Sequence, residues 1–481
     1  MNTFNEYELA RREKREKLRE LGIDPYGQRY DDIESCMDIA AKFDPEREDI
    51  EVCGAGRIVL HRDIGKLMFT TLRDSSGTIQ IGISMKMVGE DGWKIAKLLD
   101  LGDIVGVRGI LGKTKTGEIT IWVTSLTMLC KATVPPPEKF HGLTDVEARY
   151  RQRYVDMFSN PEVMKTFQDR TAILRTIRET LQDDGFIEVE TPMLQAIAGG
   201  AAATPFATHH NALDIDLFMR IAPELYLKRL LVGGMERVFE INRNFRNEGI
   251  STRHNPEFTM CELYQAYGDY NSMMDLMEKV VIKLVAQRSD NMKLEFNGTE
   301  IDYSGPWARR TYASLFEEHV GCGIDDIAKI REIAKKLEIE ESKMADIIVV
   351  SEVFEHFVED KLINPTFVID YPAELCVLTK RKIDNPAIAE RFELYVSGME
   401  LANAYTELND PDIQEENFRM QLQGQEESEA QMDEDFVTAL RYGMPPAGGL
   451  GFGIDRLIML ITNSPCIRDV ILFPLMKPQA N

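Results

Sequence analysis

Residues 246–267, RNEGISTRHNPEFTMCELYQAY, set two arginines, a histidine and three glutamates between a strand-like run and a segment with two tyrosines. Period-two alternation over the second half places Phe258, Met260, Glu262 and Tyr264 on one strand face and Thr259, Cys261 and Leu263 on the other. Burying an unpaired carboxylate costs several kcal/mol, so Glu262 faces solvent, sits beside an arginine or awaits a polar ligand. A half-solvated sheet laced with salt bridges is the plainer account of the same pattern. A second segment, GGLGFGIDRLIML at 448–460, reads as a glycine-rich strand entering a helix with Arg456 in its first turn. Closely spaced glycines let backbone approach a ligand and arginine grips phosphate oxygens bidentately, although tight strand-to-helix packing explains the glycines equally well. The segment is not a GxxxxGK[ST] phosphate loop and lacks the spacing of a dinucleotide fingerprint. A third, RFELYVSGMELANAYTELND at 391–410, aligns Asn403, Tyr405 and Glu407 on one face, with Glu393 and Glu400 upstream. Two nearby carboxylates suit magnesium, which takes hard oxygen ligands together with substrate phosphates. Glu393 and Glu400 differ in strand parity, so sharing an ion requires a bulge, expected at Gly398; surface glutamates are the alternative.

The frame holding these segments is large. A chain of 481 residues predicts two domains, one of them big enough for an enzyme core. With 28% charged and 44% hydrophobic residues the composition is globular, and no apolar run approaches the roughly 18 residues of a membrane span. The opening MNTFNEYELARREKREKLRE has charges where a signal peptide needs an apolar core, so a cytoplasmic location is expected, with no membrane partner. Seven scattered cysteines without a CxxC pair indicate neither a disulfide framework nor a zinc site. Eighty acidic against 56 basic residues, a net charge of -24, argue against indiscriminate nucleic-acid binding and leave only local patches for such a partner.

Residues 1–50 read as a helical extension, with a charged amphipathic helix at 7–21 that is either a solvated surface or an aid in holding an RNA backbone. Five short alternating runs between 51 and 131, punctuated by DSSG and KTKTG, suggest a small closed barrel of the OB-fold type. VPPPEKF lies in a stiff linker over 132–150. From 151 to 481, helices at 161–184, 223–233 and 272–287 mix irregularly with strands, which predicts an α+β domain rather than a doubly wound sheet, with a helical insertion at about 306–366. The acidic run at 425–435 reads as solvated.

RNEG…RHNPEFTMCELY resembles the second signature motif of class II aminoacyl-tRNA synthetases, GGLGFGIDRL the third, and FIEVETP at 186–192 the first. IAPELYLKRLLVGG, THHNALD, FHGLTDVEARYRQRY and NAYTELNDP are similar to the lysyl-tRNA synthetases within that class. The resemblance implies an antiparallel-sheet catalytic domain, an anticodon-binding OB-fold, a homodimer, and L-lysine, ATP and tRNA(Lys) as substrates with Mg2+ as cofactor. It assigns Arg246, Glu248, His254, Phe258 and Arg456 to ATP, with Arg246 and Arg456 catalytic. Gly200, Glu224, Arg246, Glu262, Tyr264, Asn403, Tyr405 and Glu407 would bind lysine, Glu407 and Tyr264 meeting the ε-ammonium. Glu393 and Glu400 would hold the metal. In the barrel, Phe69, Gln80 and Glu118 match positions that contact anticodon bases, although Phe69 alone would read as barrel core. An aspartyl or asparaginyl pocket would want a cation, and the 391–410 strand supplies none facing the side chain. Thr204, His61 and Val377 depart from the family pattern, which bears on loop geometry and anticodon contacts. Rival readings are a lysine-using paralogue that modifies a protein, against which the barrel argues, and a non-catalytic RNA-binding relative, against which the intact Arg246, Arg456, Glu393 and Glu400 argue.

Overall fold

Alternation alone builds the first unit of the computed structural model, which describes residues 5–137, 143–201, 203–339, 344–422 and 432–479. Parts of the linker and of the acidic run at 425–435 lie outside the described residues. Strands β1 (Glu51–Ile64), β2 (Leu67–Arg73), β3 (Thr78–Ser84), β4 (Ile104–Lys113) and β5 (Ile119–Cys130) close into a barrel of order β1-β2-β3-β5-β4. Met68, Thr70 and Leu72 turn inward while Phe69 and Thr71 do not, and Ile81, Val107, Leu111, Ile121 and Val123 fill the core. Helix Met85–Ala96, between β3 and β4, was hidden by the strand-like pattern around it; Trp93 and Ala96 anchor it on the barrel core.

The N-terminal helix Glu6–Glu20 is capped by the Asn5 side chain and carries acids in its first turn and bases in its last, as its dipole favours. It is not a free basic surface. Arg11 is buried and donates to Leu101 O at 2.8 Å, and Lys14 pairs with Asp100 at 2.7 Å, so two of its cations serve the fold.

The chain separates into two compact units, Met1–Met164 and Lys165–Asn481. The second contains β6 (Ile187–Glu188), β7 (Leu194–Gln195), β8 (Ala207–His210), β9 (Ile215–Met219), β10 (Arg237–Phe245), β11 (Glu257–Ala266), β12 (Lys293–Phe296), β13 (Thr299–Asp302), β14 (Ala308–Thr311), β15 (Thr366–Pro372), β16 (Ile388–Val396), β17 (Met399–Thr406) and β18 (Ala447–Gly453). Eight of these form one sheet of order β14-β15-β16-β17-β18-β11-β10-β6, antiparallel except at its two outermost pairs. The α+β expectation therefore holds.

One face of the sheet is packed. Cys261 and Leu263 of β11, Phe452 of β18 and Ala402 and Ala404 of β17 meet Met273, Met277 and Val281 of helix Tyr270–Ala286 and Leu457 of helix Ile454–Thr462. Asp269 starts the longer helix with a capping box to Ser272. The other face, carrying Glu262, Tyr264, Asn403 and Tyr405, forms the floor of a cleft. The expected insertion does carry three helices (Tyr312–Val320, Ile327–Lys336 and Asp346–Phe357), but it opens with β14, an edge strand of the main sheet.

Two expectations about 391–410 need correction. The run is a hairpin, reversed at Ser397 and Gly398, whose positive φ values of 54° and 65° form the turn. The parity break is elsewhere: the register shifts between Leu394 and Tyr395, so Leu401 of β17 has no partner and Glu400 falls opposite Tyr395. That bulge aligns Glu400 with the face of Asn403 and Glu393, and Gly398 serves to turn the chain.

Candidate active site

An open cleft of about 1730 Å³ lies over the free face of the sheet. Gly200, Glu224, Arg246, Glu248, His254, Phe258, Glu262, Tyr264, Glu400, Asn403, Tyr405, Glu407 and Arg456 all line it, which gathers into one place every expected ligand of the second unit except Glu393. Glu393 lies in an adjoining chamber of about 440 Å³ whose wall also includes Glu400, His254 and Arg456.

The glycines of β18 make the floor. A side chain on Gly449 would collide with Glu407 Oε1 and with the Tyr264 ring, and one on Gly451 would come 3.4 Å from Glu262 Cγ. The strand is glycine-rich because carboxylates from its neighbours lie across its backbone, and the helix begins only after Gly453.

At the lysine end of the expected pocket, Glu262 is 5% exposed and Glu407 fully buried. Burial, reinforced by Glu224, pushes the Glu262 carboxyl up to about 8. Burial likewise pushes Glu407 up to about 8 although Lys228 opposes it. Glu262 Oε2 and Glu407 Oε1 have no hydrogen-bond partner. Lys228, which sequence reasoning missed, is buried with its Nζ 2.7 Å from Glu224 Oε1 and 2.5 Å from Glu407 Oε2. The expectation that the 391–410 run supplies no cation is corrected by Arg391, which lines the cleft beside Asn403 and Tyr405, and Lys228 brings a second cation from helix Glu224–Val232, already matched by two carboxylates. Its spacing of four from Glu224 looks like an ordinary surface pair, so nothing in the sequence betrays its burial.

At the other end, the Arg246 guanidinium lies 5.1 Å from the Phe258 ring centroid and its buried Nε has no partner. Arg456 donates to Glu400 O at 2.6 Å and lies 3.0 Å from His254 Nε2, while burial and the Arg456 charge push the His254 pKa down. Asp455, also missed, fastens this helix to the sheet by accepting from Arg170 at 2.6 Å and from Thr259 N at 2.7 Å. Arg253 and Glu257, for which the sequence offers no role, have structural ones. Arg253 donates to Gly398 O at 2.7 Å, and Glu257 lies 3.7 Å from Arg243. Thr204 contributes backbone only: its carbonyl accepts from Asn247 N at 2.8 Å. Val377 does the same, its carbonyl accepting from Asn417 at 2.8 Å.

Arg391 is a third residue missed by sequence reading. It donates to Asn403 Oδ1 at 3.2 Å and to Glu393, and it lies over the Tyr405 and Tyr371 rings, holding several lining groups in place. Glu393 also accepts from Tyr371 and Tyr395 at 2.8 and 2.6 Å. Burial and the nearby Glu393 push Glu400 up, and burial pushes Glu359, in the same chamber, to about 7. Glu400 and Glu359 thus resist ionisation unless a cation stands beside them. Among the described residues no group of three or more His, Cys, Asp and Glu is arranged to enclose a metal; Glu393 and Glu400 line one chamber as a pair of hard oxygen donors, the kind magnesium takes together with waters and phosphate oxygens.

In the barrel, Phe69 is half-buried on the outer surface, which removes the barrel-core alternative. Its ring meets Trp122 edge-on with centroids 6.0 Å apart, and Gly82 lies between them in register because a side chain there would strike Trp122. Gln80 accepts from Thr120 at 2.9 Å one step along the same face, and Glu118 is exposed in the β4–β5 turn. Trp122 was missed, although its alternation against Ile121 and Val123 is visible in EITIWV. His61 turns its Nδ1 to Thr70 Oγ1 at 3.1 Å.

Residues 145–477 match the family described as tRNA synthetases class II (D, K and N), and residues 52–129 match the OB-fold nucleic acid binding domain. The chain is 52% identical over 484 residues to a lysine–tRNA ligase of Carboxydothermus hydrogenoformans, covering 99% of each protein. It is 52% identical to one of Pelotomaculum thermopropionicum, over 99% of this chain and 96% of that one. The chain belongs to the lysine–tRNA ligase family. A counterpart in Syntrophomonas wolfei is 48% identical over 99% of this chain and 98% of its own length. The chain thus carries an OB-fold barrel and a class II synthetase domain, each matched by its own family. No helix among the described residues is long and apolar enough to cross a membrane.

Proposed function

We propose that this ATP-dependent ligase activates L-lysine to lysyl-adenylate and transfers it to the 3′-terminal ribose of tRNA(Lys). The observation carrying this reading is the pairing of buried acceptors lacking partners, Glu262 Oε2 and Glu407 Oε1, with Arg246, a half-buried arginine whose buried Nε lacks one, in one cleft. Lysine presents two ammonium groups and one carboxylate, the charges that such a cleft would satisfy.

In the first step a lysine carboxylate oxygen attacks the α-phosphorus of ATP and pyrophosphate leaves. Arg246 binds the carboxylate and the α-phosphate, bringing the two together and offsetting the charge of the transition state. Phe258 and Arg456 hold the adenine between them, Arg456 reaching the γ-phosphate, while Glu248 and His254 seat the nucleotide. Asn403 shares the substrate carboxylate; Glu224 and the Gly200 backbone receive the α-amino group; Tyr405 flanks the aliphatic stem; Glu407, Tyr264 and Glu262 face the ε-ammonium. Glu393 and Glu400 would hold magnesium, which neutralises polyphosphate charge when bound. In the second step the ribose hydroxyl attacks the lysyl carbonyl and AMP leaves. A homodimer in the cytoplasm suits the exposed Ile187, Met193 and Leu194 of the first motif region, 52%, 47% and 48% accessible in the single chain.

Lysine is expected to drive isotope exchange between pyrophosphate and ATP. Exchange driven instead by aspartate or asparagine, or none from intact protein, would sink the reading. Phe69→Ala is expected to lower kcat/KM for tRNA charging by about tenfold or more, since a base stacked on an aromatic contributes roughly 1–3 kcal/mol. Pyrophosphate exchange should be unchanged in that variant; equal losses in both assays would count against an anticodon contact.

A further inference from the structure

The buried ammonium of Lys228 has no place in the reaction just described. Lys228 is fully buried and does not line the cleft, so it cannot touch a substrate there. Its two ion-pair partners do line it. Glu224 Oε1 accepts from Lys228, and Glu407 Oε2 forms an ion pair with it at 2.5 Å, while neither Glu407 oxygen has a hydrogen-bond partner. Tyr264, whose ring centroid is 6.0 Å from Nζ, closes the same corner.

We propose that Lys228 is a positioning residue that sets substrate length: its ammonium ties Glu224, at the α-amino end of the lysine pocket, to Glu407, at the ε-ammonium end, and so fixes the span between the two carboxylates. The inference rests on the proposed lysine reading of the cleft. It has three supports besides geometry.

First, Lys228 remains charged, because Glu224 and Glu407 raise its pKa above the ordinary lysine value even though burial opposes this. Second, the charges balance only with a dibasic ligand. Lys228 pairs with Glu224 and Glu407, Arg220 is matched by Glu240 and Arg391 by Glu393, so once an ammonium favours the ionised carboxyls, Glu224, Glu262 and Glu407 leave two negative charges for two substrate ammonium groups, and Arg246 serves the substrate carboxylate. Third, the tie joins two different elements. Glu224 and Lys228 stand one turn apart on a single helix, whereas Glu407 follows β17, so the ion pair transfers the helix position to the strand end that recognises the side chain. A flexible carboxylate at either end would accept a shorter diamino acid; a fixed one leaves it a methylene short of contact. A missing methylene in a fitted pocket lowers kcat/KM by about 10- to 200-fold, which is the discrimination at stake.

The test is the ratio of kcat/KM for lysine to that for ornithine in pyrophosphate exchange, in full-length wild type, Lys228→Met and Lys228→Arg. Methionine removes both the tie and its charge. Arginine keeps the charge and changes the spacing. In each folded variant the ratio is expected to fall at least fivefold, with KM for lysine rising more than kcat drops and KM for ATP unchanged. A ratio within twofold of wild type in either folded variant overturns the inference, and so does failure of both variants to fold, which would make Lys228 a residue of the fold. Absence of lysine-driven exchange in the wild type would overturn the proposed function itself, an outcome distinct from any change confined to the variants.

Discussion

Gly449→Ala will lower kcat/KM for lysine by about a hundredfold or more while sparing ATP binding. The added methyl would overlap Glu407 Oε1 and lie 2.5 Å from Tyr264 Cε1, and neither neighbour can retreat because both are buried. Gly449 does not have positive φ, so alanine strains no backbone there and its effect falls on the pocket. Displacing a recognition carboxylate by about 1 Å costs on the order of a hundredfold in rate, so kcat/KM for lysine should fall by at least about that factor. Arg246, Phe258 and Arg456 are not among the groups the methyl meets, so calorimetric ATP binding should stay within a few-fold of wild type. Undiminished lysine-dependent exchange would show that Glu407 and Tyr264 are not the floor of the pocket.

A second large effect is expected from pH. In the ligand-free protein burial places both Glu262 and Glu407 at about 8. Glu224, Arg246 and Arg391 are other charged groups lining the cleft around them, with Lys228 buried beside Glu407 and Glu240 and Arg220 behind Glu262. An ammonium in the pocket favours the ionised carboxyls, so binding below pH 8 must expel protons. Lysine affinity should therefore weaken by more than about tenfold between pH 8 and pH 6, since one pKa unit corresponds to about 1.4 kcal/mol. Calorimetry in buffers of different ionisation enthalpy should register net proton release. The stability of the empty protein has the matching sign. Each carboxyl is raised above its unfolded value, so its contribution is fully present below about 4.5 and is lost as pH rises through about 8. The rise in Tm caused by lysine should accordingly grow across that window, and a shift that is constant with pH would contradict the assignment.

Both predictions depend on contacts of unequal visibility in the sequence. Strand β11 was legible because one face is buried in the helices and the other in the cleft, so strict alternation separates Cys261 and Leu263 from Glu262 and Tyr264. The barrel was legible for the same reason. Glu400 was less so, since the bulge at Leu401 reverses parity and no residue type there announces it. Lys228 and Arg391 were invisible for a different reason. Each is a cation near a glutamate in sequence, four residues from Glu224 and two from Glu393, a pattern that solvated surfaces use constantly; only the fold shows Lys228 fully buried beside the cleft and Arg391 lining it. Residues proposed to touch substrate were thus easier to find than those that hold them in position.

The hydrogen bond from Arg253 to the Gly398 carbonyl, at 2.7 Å, joins the loop carrying His254 to the turn between Glu393 and Glu400. The loop and the turn are therefore fastened to one another, so that a displacement of His254 is passed on to the strand ends that carry Glu393 and Glu400.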